Sequence, residues 1–306
     1  MKPLEGEKAL IGPSSFSDLD KSPLEYLIEA GCEVIENPFK RKLTKAELMD
    51  LLKAGVTGLI AGLEPLDREV MENSVLKVIS RCGAGMSNVD LEAAKALGIE
   101  VRFTPDAPTA AVAELTVGAM LALLRMIPLM NHDLHRGRWT KKVGTQLEGK
   151  TVVIIGYGRI GRKVASLLIP FKINILVVDP FLQEAIPEVS ILPLEEALPE
   201  ANIITLHSSG ENCVLGQKEF ELITPGAFVL NAARGGLIDE DALITALDDG
   251  TIQGAWLDTF GQEPYDGPLT ECPQVILTPH VGSYTRECRK QMEMESVQNL
   301  IQALKE

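Results

Sequence analysis

The sequence lacks the cysteine pattern of a disulfide-bonded or zinc-binding protein. Its five cysteines are scattered and include no C-x-x-C pair (Cys32, Cys82, Cys213, Cys272 and Cys288). Single thiols in an odd number are typical of reduced cysteines that mostly pack in a core. We therefore expect neither a disulfide framework nor a metal site.

Basic residues are also scarce. The 29 lysines and arginines stand against 43 acidic residues, which gives a formal net charge of -14. A strongly negative protein repels the phosphates of nucleic acids and the surfaces of anionic membranes. We therefore expect a small-molecule ligand, with neither a nucleic acid nor a membrane as partner.

No uninterrupted apolar run reaches the length of a membrane span, which is about 20 residues. The longest apolar tract, residues 110–130, is interrupted by Glu114, Arg125 and Pro128, and we interpret it as a core or interface helix. The N-terminal segment is acidic and lacks the basic and apolar regions of a signal peptide. These absences predict a cytoplasmic protein.

The sequence does contain two stretches in which short apolar strands alternate with helical segments. The first runs to about residue 103, and the second runs from residue 151 to residue 277. Such alternation is typical of a parallel sheet with helices on both faces. Because 306 residues exceed what one hydrophobic core usually serves, we predict an α/β protein of two domains.

The second stretch opens with a glycine-rich motif. The strand Thr151–Ile155 leads into Gly156, Gly158 and Gly161 with the spacing G-x-G-x-x-G, and a helix is predicted from Arg159. The first glycine permits a tight turn, the second lets a pyrophosphate approach the backbone, and the third lets the helix pack on the sheet. Because the helix also directs its N-terminal amides at the phosphates, the motif predicts a dinucleotide site.

An acidic residue follows the next predicted strand. Asp179 stands after Asn174–Val178, where its carboxylate can accept hydrogen bonds from both hydroxyls of an adenosine ribose. The same carboxylate would repel the 2′-phosphate of NADP, and residues 180–184 include no arginine to receive that phosphate. We therefore predict NAD as the cofactor.

These patterns predict two doubly wound parallel-sheet domains, in which a Rossmann-like NAD domain is inserted into a flavodoxin-like substrate domain. We place the substrate domain at residues 1–103 plus 285–306, because the last helix is expected to return to the first sheet. The NAD-binding domain is then expected at residues 104–284. The first stretch has no G-x-G-x-x-G motif of its own.

Three further motifs each follow a predicted strand, and they contain Arg234, Glu263 and His280. Reduction of a 2-oxo acid by hydride requires a proton donor for the carbonyl oxygen and a group that holds the carboxylate. Histidine suits the proton transfer, an acidic partner stabilises its charged form, and arginine grips two oxygens with a planar fork. Each residue alone could have an ordinary role in an ion pair or a loop, but together they match this reaction.

At these motifs the sequence resembles the D-isomer-specific 2-hydroxyacid dehydrogenase family, over essentially its whole length. The matching segments are Ile155–Gly161, Asn231–Gly236, Asp258–Pro264 and Thr278–His280. The resemblance implies that Arg234 anchors the substrate and that His280 is the acid–base, with Glu263 as its partner. Together with the motif glycines it implies NAD contacts at Gly156, Gly158, Arg159, Ile160, Gly161, Asp179, Ser208, Ala232 and Asp258, the last near the nicotinamide carboxamide.

Within this family, the segment Arg81–Asp90 resembles the substrate loop of the phosphoglycerate dehydrogenases. The resemblance implies that backbone amides around Ala84, Gly85 and Met86 receive the substrate carboxylate, while Arg81 approaches a phosphate. Taken alone, a glycine-rich loop of this kind is equally a turn between a strand and a helix, and Arg81 could equally form an ion pair at the end of the strand.

Two segments depart from the family pattern. Ala61–Glu64 stands where animal-type phosphoglycerate dehydrogenases carry a further arginine, so a substrate phosphate keeps one expected anchor. His207–Cys213 replaces a proline-containing segment beside the cofactor. There we expect the backbone contacts to persist and the shape of the loop to differ.

Our leading interpretation is an NAD-dependent oxidoreductase that interconverts a 2-hydroxy acid and its 2-oxo acid, with 3-phosphoglycerate and 3-phosphohydroxypyruvate (serine biosynthesis) as the first candidates. The alternative is a glyoxylate/hydroxypyruvate or D-lactate-type reductase with the same residues. A different class is an NAD-sensing protein without enzymatic activity, since corepressors of this family keep the same three residues.

Two expectations concern assembly. The predicted helix at residues 110–126 is apolar over more than one face, and Leu134 and Trp139 extend that surface. The resemblance places this segment between subunits, so we predict a homodimer. The sequence stops after residue 306, where longer phosphoglycerate dehydrogenases continue, and we expect no amino-acid-binding regulatory module.

Overall fold

The computed structural model describes residues 2–182, 186–210 and 212–306, and the chain divides into two compact units. The first unit contains the residues up to Pro108 together with Ser283–Glu306, and the second contains Thr109–Gly282. Each unit consists of a parallel β-sheet and the helices around it. The fold class predicted from the alternation of strands and helices is therefore confirmed.

Among the described residues, the first unit has a sheet of five parallel strands in the order β2-β1-β3-β4-β5. The strands are β1 (Lys8–Ile11), β2 (Glu33–Glu36), β3 (Gly58–Ala61), β4 (Val78–Arg81) and β5 (Glu100–Phe103). This is the order of flavodoxin-like sheets, in which the chain changes direction across the sheet between β1 and β3.

Helices cover both faces of this sheet. Neighbouring residues of each strand point to opposite faces, so each face has its own buried cluster. Leu10, Leu59 and Ile79 join one buried cluster, whereas their neighbours Ile60 and Val78 join the other. The first cluster is packed by α2 (Lys45–Leu52), α3 (Arg68–Glu72) and α4 (Leu91–Ala96), and the second by α1 (Ser22–Glu29) and α11 (Arg286–Ala303).

Side-chain caps fix where several helices begin. In each case the side chain before the first turn accepts a backbone N–H that has no partner within the helix. The capping residues are Thr44 for α2, Asp67 for α3, Asp90 for α4 and Thr285 for α11.

The second unit has a sheet of seven parallel strands among its described residues, in the order β12-β11-β10-β9-β6-β7-β8. The strands are β6 (Thr151–Ile155), β7 (Asn174–Val178), β8 (Ser190–Ile191), β9 (Ile203–Leu206), β10 (Ala227–Asn231), β11 (Ile252–Leu257) and β12 (Val275–Leu277). Counted from β6, the first six strands have the order 3-2-1-4-5-6 of a Rossmann sheet, and β12 extends it.

The helices of the second unit are α5 (Pro108–Leu124), α6 (Ile127–His135), α7 (Arg159–Leu168), α8 (Leu194–Ala197), α9 (Gln217–Phe220) and α10 (Glu240–Asp248). α6 begins shortly after α5 ends. Met126, in a left-handed conformation with φ of 52°, separates it from α5, and Pro128 fits in the first turn, where no backbone N–H is needed.

No single helix in the described part of the chain is long and apolar enough to cross a membrane. The pair formed by α5 and α6 meets the length and composition of a span together, but the two helices are bent by 66° at their junction.

A buried ion pair ties α11 to the loop that follows β1. Arg289 and Glu293 are 7% and 3% exposed, and Nη2 of Arg289 lies 2.6 Å from Oε1 of Glu293. Arg289 also donates to the hydroxyl of Ser15, and the N–H of Ser17 donates to Glu293 over 2.9 Å. Burial raises the pKa of Glu293, while Arg289 and the N–H of Ser17 act in the opposite direction. Removal of one partner would therefore leave a buried charge without compensation.

We predict that Arg289→Met lowers the free energy of unfolding by about 3–5 kcal/mol, because Glu293 then stays buried without its cation. Urea denaturation followed by far-UV circular dichroism measures the change. Lys290→Met is the control, since Lys290 forms an exposed pair with Asp20, and such pairs contribute about 0–1 kcal/mol. The double variant Arg289→Met/Glu293→Leu should recover much of the loss, and equal stability of wild type and Arg289→Met would contradict the prediction.

Candidate active site

The predicted site residues of the second unit follow the carboxyl ends of its strands. Because the described strands are all parallel, these ends lie along one edge of the sheet. From one side to the other, that edge carries His280 after β12, Asp258 after β11, Arg234 after β10, Ser208 after β9 and the glycine motif after β6, with Asp179 after β7. Open α/β sheets bind their ligands at this edge.

The glycine motif has the close contacts that its spacing predicts. A Cβ atom at Gly161 would overlap the carbonyl oxygen of Gly156, so only glycine lets α7 start this close to β6. Gly156 has a φ of 93° and lies against the backbone of His207 and Ser208. A Cβ at Gly158 would instead meet no atom within 4 Å, which leaves open space in front of the first turn of α7.

Asp179 connects the glycine motif to the end of β7. Its Oδ2 accepts the backbone N–H of Tyr157 at 2.8 Å, and its Oδ1 accepts that of Phe181 at 3.0 Å. The carboxylate is therefore held in place, and each oxygen keeps a further lone pair for a ligand hydroxyl. Of residues 180–184, the segment predicted to lack a phosphate-binding arginine, residues 183 and 184 lie outside the described residues.

The segment after β9 places two polar side chains next to the glycine motif. The ring of His207 is 2.9 Å from the hydroxyl of Thr205 through Nε2, and burial lowers the pKa of His207 to about 4. Its ring is therefore neutral near pH 7. In the described part of the chain, Nδ1 of His207 and the hydroxyl of Ser208 have no hydrogen-bond partner.

The loop after β10 is organised by Asn231. Its side-chain oxygen accepts the N–H of Ala233 at 3.0 Å, and its amide donates to the carbonyl of Arg234 at 2.8 Å. Arg234 is half-buried, and its Nη1 donates to the carbonyl of Ala233. A Cβ at Gly235 would overlap the backbone of Phe260. The loop after β10 that carries Arg234, the arginine loop, therefore lies directly against the loop after β11.

Glu263 and His280 form a pair. Nδ1 of His280 lies 2.9 Å and 3.1 Å from the two carboxylate oxygens of Glu263, and Oε1 of Glu263 also accepts the N–H of Phe260 at 3.1 Å. A carboxylate at Nδ1 fixes the orientation of the ring and leaves Nε2 for another partner. The structure thus brings these two predicted residues together and fixes the ring of His280 through its Nδ1.

Asp258 binds the loop after β12 that carries His280, the histidine loop, through several hydrogen bonds. It is 1% exposed, and its Oδ1 accepts from the hydroxyl of Thr278 at 2.6 Å and from the N–H of Val281 at 2.9 Å. Its Oδ2 accepts the N–H of Gly282 at 2.8 Å. Between these contacts His280 has a φ of 53°, a left-handed conformation that needs support from its surroundings.

Residues that sequence reasoning missed support this loop. Trp256 is fully buried, and its ring N–H donates to the hydroxyl of Thr278 at 3.0 Å, which completes a chain from β11 to Asp258. Tyr265 stacks on Phe260 with 4.3 Å between the ring centres, and burial raises its pKa to about 12. Thr278 stood inside a recognised motif, but nothing in the sequence showed which side chain it contacts.

The predicted substrate loop lies in the first unit, after β4. Ala84 is exposed and Gly85 and Met86 are half-buried, so this stretch of backbone lies near the surface. Arg81, in contrast, is 7% exposed, and its Nη1 donates to the carbonyl of Cys82. Arg81, the predicted anchor for a substrate phosphate, is therefore buried under the loop that contains residues 84–86.

The edge of the second unit suits a dinucleotide. Gly156 and Gly161 make the tight strand-to-helix junction, α7 directs its first amides at open space, and Asp179 is fixed for a ribose. Ile160 is half-buried and Arg159 exposed in the first turn of α7, and Ala232 is half-buried after β10. The residues present fit NAD by these observations.

Comparison with known families agrees with this geometry. The model described as D-isomer specific 2-hydroxyacid dehydrogenase, NAD binding domain, matches residues 117–282, which is more than half of the chain. The matched range includes the glycine motif, Asp179, Arg234, Glu263 and His280.

Curated relatives include two named D-3-phosphoglycerate dehydrogenase. The protein of Methanocaldococcus jannaschii is 40% identical over 269 residues, covering 84% of this chain and 51% of the relative. The protein of Sus scrofa is 37% identical over 295 residues, covering 92% of this chain and 54% of the relative. The chain thus spans about half the length of the curated relatives it matches.

Solved structures match over nearly the whole chain. The TT0316 protein from Thermus thermophilus has a TM-score of 0.89 and 34% identity, with 97% of this chain and 96% of that chain covered. A glyoxylate reductase from Paecilomyes thermophila has a TM-score of 0.85 and 28% identity, with 96% of this chain and 94% of that chain covered.

Proposed function

The chain belongs to the D-isomer specific 2-hydroxyacid dehydrogenase family, and we propose that it is an NAD-dependent oxidoreductase that interconverts a 2-hydroxy acid and its 2-oxo acid. The observation that carries the proposal is the Glu263 carboxylate on Nδ1 of His280, on the same sheet edge as the dinucleotide motif. Such a pair supplies the proton donor that hydride transfer to a carbonyl requires, and turnover separates this function from that of an NAD sensor that keeps the same residues.

His280 is the proposed acid–base. In the reducing direction its Nε2 delivers a proton to the carbonyl oxygen, and in the oxidising direction Nε2 takes the hydroxyl proton. Glu263 keeps the ring in place and stabilises its positive charge. Arg234 binds the carboxylate and the carbonyl oxygen of the substrate through its planar fork. NAD, when bound, supplies or accepts the hydride.

The proposed NAD contacts are the glycine motif with Arg159 and Ile160, Asp179 at the ribose, and Ser208, Ala232 and Asp258 further along the edge. Asp258 also has a structural role, since both of its oxygens already accept hydrogen bonds from the histidine loop. We propose that it acts mainly by holding that loop.

For the substrate we propose 3-phosphoglycerate and 3-phosphohydroxypyruvate first. The support is the name shared by the curated relatives and the position of Arg81 at the end of β4, with the amides of residues 84–86 as the proposed site of the carboxylate. The burial of Arg81 favours the second candidate, an unphosphorylated acid such as hydroxypyruvate, glyoxylate or pyruvate. A glyoxylate reductase is among the similar structures.

Oxidation of NADH with a panel of these four 2-oxo acids tests the proposal. Turnover of any of them supports the reaction class, and their relative kcat/KM values identify the substrate. Binding of NADH without turnover of any 2-hydroxy or 2-oxo acid would instead favour a non-enzymatic NAD sensor.

We propose the cytoplasm as the location of this protein, in keeping with its free cysteines.

We predict that Glu263→Gln lowers kcat/KM for the accepted 2-oxo acid by roughly 10²–10⁴-fold, the scale of general acid–base catalysis. Glutamine keeps an acceptor for Nδ1 of His280 but removes the charge that stabilises the protonated ring. Stopped-flow kinetics with NADH measures the loss, and the dissociation constant for NADH should stay the same. Glu271→Gln, on an exposed acid eight residues further along the chain, is the control, and wild-type rates in Glu263→Gln would exclude this role.

Cofactor choice is predicted to depend on Asp179. Asp179→Ala should weaken NADH binding by roughly 1–3 kcal/mol through loss of charge-assisted hydrogen bonds, and should relax discrimination against NADPH. Fluorescence titration with both cofactors measures this. Asp179→Asn is the matched variant, because it can still accept the N–H of Tyr157 while the charge is gone. Unchanged NADH affinity in both variants would show that Asp179 does not contact the ribose.

We also propose a homodimer formed through α5, α6 and the segment after them. Ile127, Leu134, Trp139 and Val143 expose between 52% and 93% of their surface, and α6 has no buried residue. Exposed apolar surface of this kind is typical of an interface. Light scattering at micromolar concentration should report twice the mass of the chain, and Trp139→Lys should shift the species towards monomer. A monomeric wild type would contradict the proposal.

A further inference from the structure

An acidic residue is buried at the carboxyl edge of the first unit's sheet. Glu64 follows β3 and is 1% exposed. It stands beside the point between β1 and β3 where the strand order changes direction, which is where flavodoxin-like sheets bind their ligands. Its role is not explained by the family motifs, and a buried acid is rare unless its charge has a partner.

The carboxylate of Glu64 lies against two backbone loops. Oε1 accepts the N–H of Gly62 at 2.8 Å. A Cβ atom at Gly12, after β1, would overlap Oε1, and a Cβ at Gly62 would lie 2.8 Å from Oε2. Because both positions are glycine, the carboxylate of Glu64 has room between the two loops.

The same residue is joined to the predicted substrate loop. The side-chain amide of Asn88, near the end of that loop, donates to the carbonyl of Glu64 at 2.7 Å and to the carbonyl of Gly62 at 3.2 Å. Because β3 and β4 are neighbours in the sheet, Glu64 after β3 and Arg81 at the end of β4 lie at adjacent positions of this edge.

The charges around Glu64 are cationic. The pKa of Glu64 is raised above its usual value, because burial outweighs the backbone amides of Gly62 and Glu64 and the positive charges of Arg81 and Lys42, which act to lower it. Of the two cations, Arg81 is buried and Lys42 is exposed on the loop before α2, so Arg81 is the less screened by water. Arg81 is therefore the cation that most favours the charged form of Glu64.

We infer that Glu64 is a specificity-determining residue, whose charge offsets that of Arg81 and so reduces the preference for a phosphorylated over an unphosphorylated 2-oxo acid. The inference rests on the proposed function and holds for either substrate candidate. A phosphate has up to two negative charges, and a fixed carboxylate beside its cation repels it. An acid without phosphate has no such group and is affected little.

The test compares kcat/KM for phosphohydroxypyruvate and hydroxypyruvate in wild type and Glu64→Gln. Glutamine keeps an acceptor for the N–H of Gly62 and removes only the charge. We expect the ratio of phosphohydroxypyruvate to hydroxypyruvate to rise by about 10-fold, mainly through a lower KM for the phosphorylated acid. Glu64→Met, which keeps the volume, is the second variant in case Glu64→Gln does not fold.

Glu72→Gln is the control, because it changes the net charge by the same amount on an exposed acid of α3 and should leave the ratio unchanged. An unchanged ratio in Glu64→Gln would overturn the inference. A lower ratio would overturn it as well, since Glu64 would then be holding Arg81 in place for the phosphate. If wild type turns over neither acid nor any other 2-oxo acid of the panel, the proposed function fails, and that result is distinct from an unchanged ratio.

Discussion

The candidate site depends on the hydrogen bonds that the carboxylate of Asp258 accepts. It is buried directly after β11 and accepts hydrogen bonds from the hydroxyl of Thr278, which precedes His280, and from the N–H groups of Val281 and Gly282, which follow it. A histidine in a left-handed conformation costs roughly 1–3 kcal/mol and persists only where neighbours determine it. Asp258 supplies these neighbouring contacts, and His280 held in this way contacts the carboxylate of the exposed Glu263 through its Nδ1.

The glycines set the distances between the loops of this edge. Gly161 brings α7 against β6, Gly156 brings the cofactor loop against the segment after β9, and Gly235 brings the arginine loop against Phe260. Each contact is backbone against backbone, so a single methyl group would have to displace a loop and not just a side chain. In this way the loops after β6 and β9 are held against each other, as are the loops after β10 and β11.

Much of this could be predicted from the sequence, because strands and motifs are local. β6 and β7 lie where the apolar runs predicted them, and the glycine spacing carries its own geometry. The short elements β8, α8 and α9 were not predicted, since two to four residues show no periodicity. The inward turn of Arg81 and the hydrogen bonds of Asp258 and Thr278 could not be predicted either, because they depend on contacts between segments distant in the chain.

The place of α11 in the chain has a consequence for biosynthesis. One face of the first sheet, with Ile60 and Val78, is covered by Val297 and Leu300 of α11, yet α11 follows the entire second unit in the sequence. A ribosome that adds about 5–20 residues per second needs on the order of ten seconds or more between β4 and α11. During that time the second unit can fold while the nascent first sheet still exposes an apolar face. A chaperone that binds such faces would therefore meet this chain at its N-terminal part.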